Sequence, residues 1–119
     1  MTFQELLTQI QTLKLADRRI QTTDYLEAVV EKDFVEPLCK ILTEYFGGPL
    51  KPGGQPPSGK ASRIAQPHGG VRTDQAMYFR QDAEHDEYAL LWPWGTGTRV
   101  TVKIIQSKNE SPQGGGKVC

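Results

Sequence analysis

A chain of 119 residues is sized for one domain with one core, and its equal complement of 14 acids and 14 bases excludes a polycation built to coat nucleic acid or an anionic membrane. Two cysteines, Cys39 and Cys119, are too few for a disulfide framework, no apolar run approaches a membrane span, and the amino terminus lacks a leader pattern. These features lead us to expect a soluble cytoplasmic protein. The charge is banded: net −3 over 1–46, +4 over 47–73, −4 over 74–96 and +3 over 97–119.

Thr2 and Glu5 have capping-box spacing, and Phe3, Leu6, Leu7, Ile10 and Leu13 recur at steps of three and four, predicting an amphipathic helix to about Leu15. Asp17, Arg18 and Arg19 read as a polar link. Thr23 or Asp24 is placed to cap a second helix bearing Tyr25, Leu26, Val29 and Val30. Pro37 would break a continuous helix, so a restart capped by Asp33 with Glu36 is expected. The restarted helix carries Phe34, Val35, Leu38, Ile41, Leu42, Tyr45 and Phe46, and Gly47-Gly48-Pro49 stops it.

Residues 47–70 read as a long Gly/Pro-rich basic loop, with Lys51, Lys60 and Arg63 inside it and Arg72 just beyond. Ser62–Gln66 is a candidate short fourth strand. From Val71 the pattern alternates, with Met77 and Phe79 opposed to Ala76, Tyr78 and Arg80. Asp82–Asp86 then makes an acidic turn into a strand apolar on both faces, 87–92. Pro93 ends that strand, Gly95-Thr96-Gly97 turns, and Arg99–Gln106 returns with Val100, Val102 and Ile104 inward. The reading is α+β, with N-terminal helices packed on one face of a small antiparallel sheet, a three- or four-stranded meander. One domain is expected over 1–106: a helical part at 1–46, the loop at 47–70 and strands at 71–106. A flexible polar tail is expected over 107–119.

Gly54-Gln-Pro-Pro-Ser-Gly59-Lys60-Ala61 approaches the phosphate-loop pattern G-x-x-x-x-G-K-[ST] but departs from its chemistry. Pro56 and Pro57 lack amide hydrogens, and Ala61 stands where a metal-binding hydroxyl is needed. A less specific anion site remains, built from Lys51, Lys60, Arg63 and Arg72 with Arg80 on the adjoining strand. Trp92 and Trp94, held around Pro93, are candidates for a contact surface. Asp82, Glu84, His85, Asp86 and Glu87 crowd oxygen and imidazole ligands together, yet strand alternation would aim them apart, which suits a solvated turn better than a metal site.

No catalytic motif is present, and Cys39 on a helix reads as a small buried hydrophobe. The leading expectation is therefore a small non-enzymatic interaction module, meeting a protein partner or a second copy of itself, with no cofactor and no metal. The alternatives are anionic-ligand or nucleic-acid binding through loop 47–72 and a small enzyme with an unrecognised site. The candidate binding residues are Lys60, Arg63, Arg72, Arg80, Trp92 and Trp94.

Overall fold

The structure is a computed structural model that describes residues 1–13 and 15–108. Helix α1 spans Phe3–Thr12, strands β1 and β2 span Leu15–Gln21 and Tyr25–Glu31, and helix α2 spans Val35–Phe46. A short helix α3, Gly59–Ala65, precedes strands β3 (Ala76–Gln81), β4 (His85–Pro93) and β5 (Arg99–Lys108). The fold is α+β, with one five-stranded antiparallel sheet ordered β1-β2-β5-β4-β3. Five strands replace the three or four expected. Of the expected tail, residues 107 and 108 belong to β5 and 109–119 lie outside the described residues.

The α1 capping box forms as its spacing predicts: the Thr2 hydroxyl accepts from the Glu5 amide at 3.1 Å, and the Thr2 amide donates to Glu5 Oε1 at 2.7 Å. The helix ends at Thr12. The expected link and second helix are corrected by the structure, which pairs 15–31 as a hairpin. Strand β2 is buried on both faces, with Leu26, Ala28 and Val30 on one side and Val29 on the other, so its apolar residues do not alternate and mimic helical spacing. Thr23 and Asp24, the expected caps, lie instead in the turn between the two strands: the Thr22 amide donates to the Tyr25 carbonyl at 2.8 Å, and the Thr22 hydroxyl to Asp24 Oδ1 at 2.8 Å.

Pro37 is the third residue of α2 and introduces no break, because amides of a first helical turn have no intrahelical acceptor to lose. The expected Asp33–Glu36 cap is also corrected. A 3-10 turn at Lys32–Phe34 leads into α2 without a side-chain cap. Gly47 terminates the helix at φ +85°, its amide donating to the Thr43 carbonyl at 2.9 Å.

The buried residues divide by strand register into two apolar clusters. One joins Phe3, Leu6, Leu7 and Ile10 of α1 and Leu38 and Leu42 of α2 with Leu26, Ala28, Val30, Tyr78, Ala89, Leu91, Val102 and Ile104. The other joins Ala61 and Ala65 of α3 with Val71, Met77, Tyr88, Leu90 and Ile105. Each strand from β3 to β5 contributes to both, as the apolar character of 87–92 on both sides implies. No helix among the described residues is long and apolar enough to cross a membrane.

Candidate functional site

Within the expected loop 47–70, with Ser62–Gln66 the candidate fourth strand, Gly59–Ala65 is instead helical. Ser58 caps it, its hydroxyl accepting from the Ala61 amide at 3.1 Å. Ala61 and Ala65, both fully buried, are one helical turn apart, and their small side chains permit a close approach to Met77, Tyr88 and Leu90. Beyond the helix, Gly70 donates to the Ala65 carbonyl at 2.9 Å, and Gly69 adopts φ +100°. A Cβ at Gly69 would lie 3.3 Å from Trp92 Cη2. Gly69→Ala is therefore expected to destabilise the fold by about 1–2 kcal/mol, combining left-handed strain with contact against Trp92. Thermal unfolding followed by tryptophan fluorescence checks it, and an unchanged midpoint would contradict the close approach.

The loop before α3 is fastened by Lys51. Its backbone exchanges hydrogen bonds with Met77, at 3.1 and 2.9 Å, extending the sheet beyond β3. Its side chain is 2% exposed, and the ammonium donates to the carbonyls of Pro52 and Thr73, each at 2.8 Å, and of Gln75. Lys51 is therefore a structural clasp and is withdrawn from any anion site.

Between α3 and the β3–β4 hairpin lies a pocket of about 390 Å³, lined by Lys60, Arg63, Ile64, Pro67, Phe79, Gln81, Asp86 and Tyr88. Its volume falls in the range of small-molecule sites. Phe79 and Tyr88 are cross-strand partners with ring centroids 5.5 Å apart and supply aromatic surface. The Lys60 ammonium lies 5.9 Å from the Phe79 centroid. Lys60 and Arg63 are exposed, and neither has an ion-pair partner among the described residues. Next along the strands, Gln81 Nε2 donates to Asp86 Oδ1 at 2.7 Å.

Of the candidate binding residues Lys60, Arg63, Arg72, Arg80, Trp92 and Trp94, this pocket unites Lys60 and Arg63. Arg72 is exposed and pairs with Asp74 at 3.9 Å. Arg80 belongs to the opposite sheet face, 4.6 Å from the Tyr45 centroid and 3.6 Å from Glu87. Glu87 is buried there and accepts from Tyr45 Oη at 2.5 Å and Gln106 Nε2 at 2.6 Å. Asp86 and Glu87 thus point to opposite faces. At the tip of the hairpin, Asp82 Oδ1 accepts the amides of Glu84 and His85, which hold its carboxyl below its ordinary pKa.

Trp92 and Trp94 form a layer outside the pocket lining, with Trp92 packed against the α3 cluster. Lys103 Nζ lies 3.9 Å from the Trp92 centroid, and the buried Trp92 Nε1 has no hydrogen-bond partner among the described residues. Trp94 donates to Thr101 Oγ1 at 2.9 Å, with the Arg19 and Arg99 guanidinium carbons 5.9 and 5.6 Å from its ring. Those arginines already pair with acids: Arg19 with Asp17 and Glu27, Arg99 with Glu31. The layer is charge-balanced, and its long stems and rings cover sheet surface on which Thr101 is 7% exposed.

Burial pushes the Cys39 thiol pKa up, the reverse of what a thiolate nucleophile requires. Among the described residues no group of three or more His, Cys, Asp or Glu is placed to hold a metal ion. No family model, curated protein or solved structure matches this chain.

Sequence reasoning missed Ile64, Pro67 and Gln81 as lining residues and placed Asp86 only in an acidic turn. The available signal was Ser58 as a cap followed by Ala61 and Ala65 at helical spacing, which would have set α3 against the alternating strand containing Phe79.

Proposed function

We propose that this protein is a non-enzymatic binding module that takes a small anionic molecule in the pocket beneath α3. The supporting observation is that Lys60 and Arg63 share a pocket with aromatic Phe79 and Tyr88 and have no ion-pair partner among the described residues. An anion there would gain charge-assisted hydrogen bonds without first displacing a carboxylate. Arg72, Arg80 and the tryptophan layer are each engaged elsewhere, which weighs against one continuous strip for a nucleic-acid backbone. A protein partner or second copy would find exposed Ile20 on the edge strand β1. That edge, however, has two register irregularities and carries Arg18 and Arg19, features that discourage strand addition.

The test is thermal unfolding and calorimetric titration with 4-methylbenzoate and, separately, inorganic phosphate. At least one anion is expected to raise the midpoint, and the double variant Lys60→Ala/Arg63→Ala should bind it at least about 10-fold more weakly. Binding should also weaken as sodium chloride rises. Equal affinity in the double variant, or no binding of these anions or of any other carboxylate probe of the same shape, would overturn the reading.

A further inference from the structure

The pocket does not present positive charge alone. Its helix wall carries Lys60 and Arg63, while its strand wall carries the Asp86 carboxylate. Asp86 is half-buried and has no ion-pair partner among the described residues, so the opposed charges of the lining do not neutralise one another by direct contact. Gln81 occupies one oxygen of the carboxylate through a 2.7 Å hydrogen bond, and an ionised carboxylate retains acceptor capacity on its other oxygen.

The strand register separates the chemical zones of the pocket. Phe79 pairs with Tyr88 and Gln81 with Asp86, so the aromatic row and the carboxylate row are two residues, about 7 Å, apart along the hairpin. Lys60 lies over the aromatic row. A simple anion seated by Lys60 and Arg63 would meet repulsion from Asp86. A molecule with a cationic group at its far end would turn that repulsion into attraction.

We infer that the ligand is amphoteric: a small molecule whose anionic group meets Lys60 and Arg63, whose apolar or aromatic body lies over Phe79 and Tyr88, and whose amine meets Asp86. This assignment rests on the anion-binding role proposed above for the same pocket and adds to it the opposite end of the ligand. Asp86 selects the ligand by its charge, disfavouring plain anions of the same shape.

Three probes of matched shape separate the possibilities: 4-(aminomethyl)benzoate has both charges, 4-methylbenzoate the anion alone and 4-methylbenzylamine the cation alone. Calorimetric titration of the intact protein is expected to show 4-(aminomethyl)benzoate binding at least about 10-fold more tightly than 4-methylbenzoate. Asp86→Asn keeps an oxygen to accept from Gln81, so it should fold normally. It is expected to bring the two affinities within about twofold by weakening 4-(aminomethyl)benzoate, without weakening 4-methylbenzoate.

Equal binding of 4-methylbenzoate and 4-(aminomethyl)benzoate by the wild type would overturn the amphoteric assignment and leave the anion site standing. So would a preference that survives Asp86→Asn. If 4-methylbenzylamine binds as tightly as 4-(aminomethyl)benzoate, Lys60 and Arg63 have no role and both readings fall. Both also fall if none of the three binds at concentrations up to about 10 mM, an affinity below that of even weak specific ligands.

Discussion

Replacing Lys51 with methionine is expected to lower stability by about 3 kcal/mol, because the variant retains an apolar stem of similar length but withdraws the donor from three carbonyl oxygens at once. Hydrogen bonds from a charged donor are each worth about 1.5–3 kcal/mol. Water entering the vacated site would recover part of that sum, which sets the total nearer one strong bond than three. The lysine has no carboxylate within ion-pair distance among the described residues, so its ammonium depends on these carbonyls. Lys51→Arg should also be destabilising, since a planar guanidinium does not reproduce the three directions an ammonium serves. Urea titration of both variants reads the effect as a shifted midpoint at constant slope. A methionine variant as stable as the wild type would show that the clasp contributes nothing and that the backbone exchange with Met77 alone holds the loop.

The second large effect is expected at Glu87. This buried carboxylate accepts from Tyr45 at the end of α2 and from Gln106 of β5, with the Arg80 guanidinium 3.6 Å away. It thereby joins α2 to three strands. Glu87→Ala leaves a part-buried hydroxyl and a part-buried amide without their acceptor and removes the counter-charge of Arg80. Breaking a fully buried pair costs about 3–5 kcal/mol. Arg80 is 38% exposed and can turn to solvent, so about 2–3 kcal/mol is expected here. Tyr45→Phe removes one donor and should cost about 1 kcal/mol. A double-mutant cycle on chemical denaturation decides whether the two act together: additive losses would show that Tyr45 and Glu87 stabilise the fold independently.

How much of this could be read from the residues depended on whether a segment buries one face or two. Phe3, Leu6, Leu7 and Ile10 form a one-sided stripe after a capping box, and α1 follows that pattern. Met77 and Phe79 alternate against Ala76 and Tyr78, as β3 requires. The hairpin at 15–31 was hidden because β2 is apolar on both sides. Consecutive Val29 and Val30, with Ile20, Thr22, Thr23 and Tyr25 nearby, were the β-favouring signal that should have outweighed helical spacing. Helix α3 was hidden for another reason: seven residues with two buried alanines carry too little apolar contrast to mark a face.

The candidate site was partly legible. Lys60 and Arg63 were singled out for their charge, but their neighbours Phe79, Asp86 and Tyr88 arrive from β3 and β4 through tertiary packing. Lys51 shows the opposite failure. Its composition-level reading as one more loop cation could not anticipate three carbonyl oxygens converging from Pro52, Thr73 and Gln75.

The strand order imposes a timetable on biosynthesis. β5 follows the other four strands in sequence, yet it lies between the β1–β2 hairpin and the β3–β4 hairpin. Until residues 99–108 clear the ribosome, the nascent chain holds two incomplete sheet fragments, with the sides of β2 and β4 that β5 will join still unpaired. Completion of the sheet is therefore a late event that unites both halves, and the interval before it is when the growing chain is most open to pairing with the wrong strand.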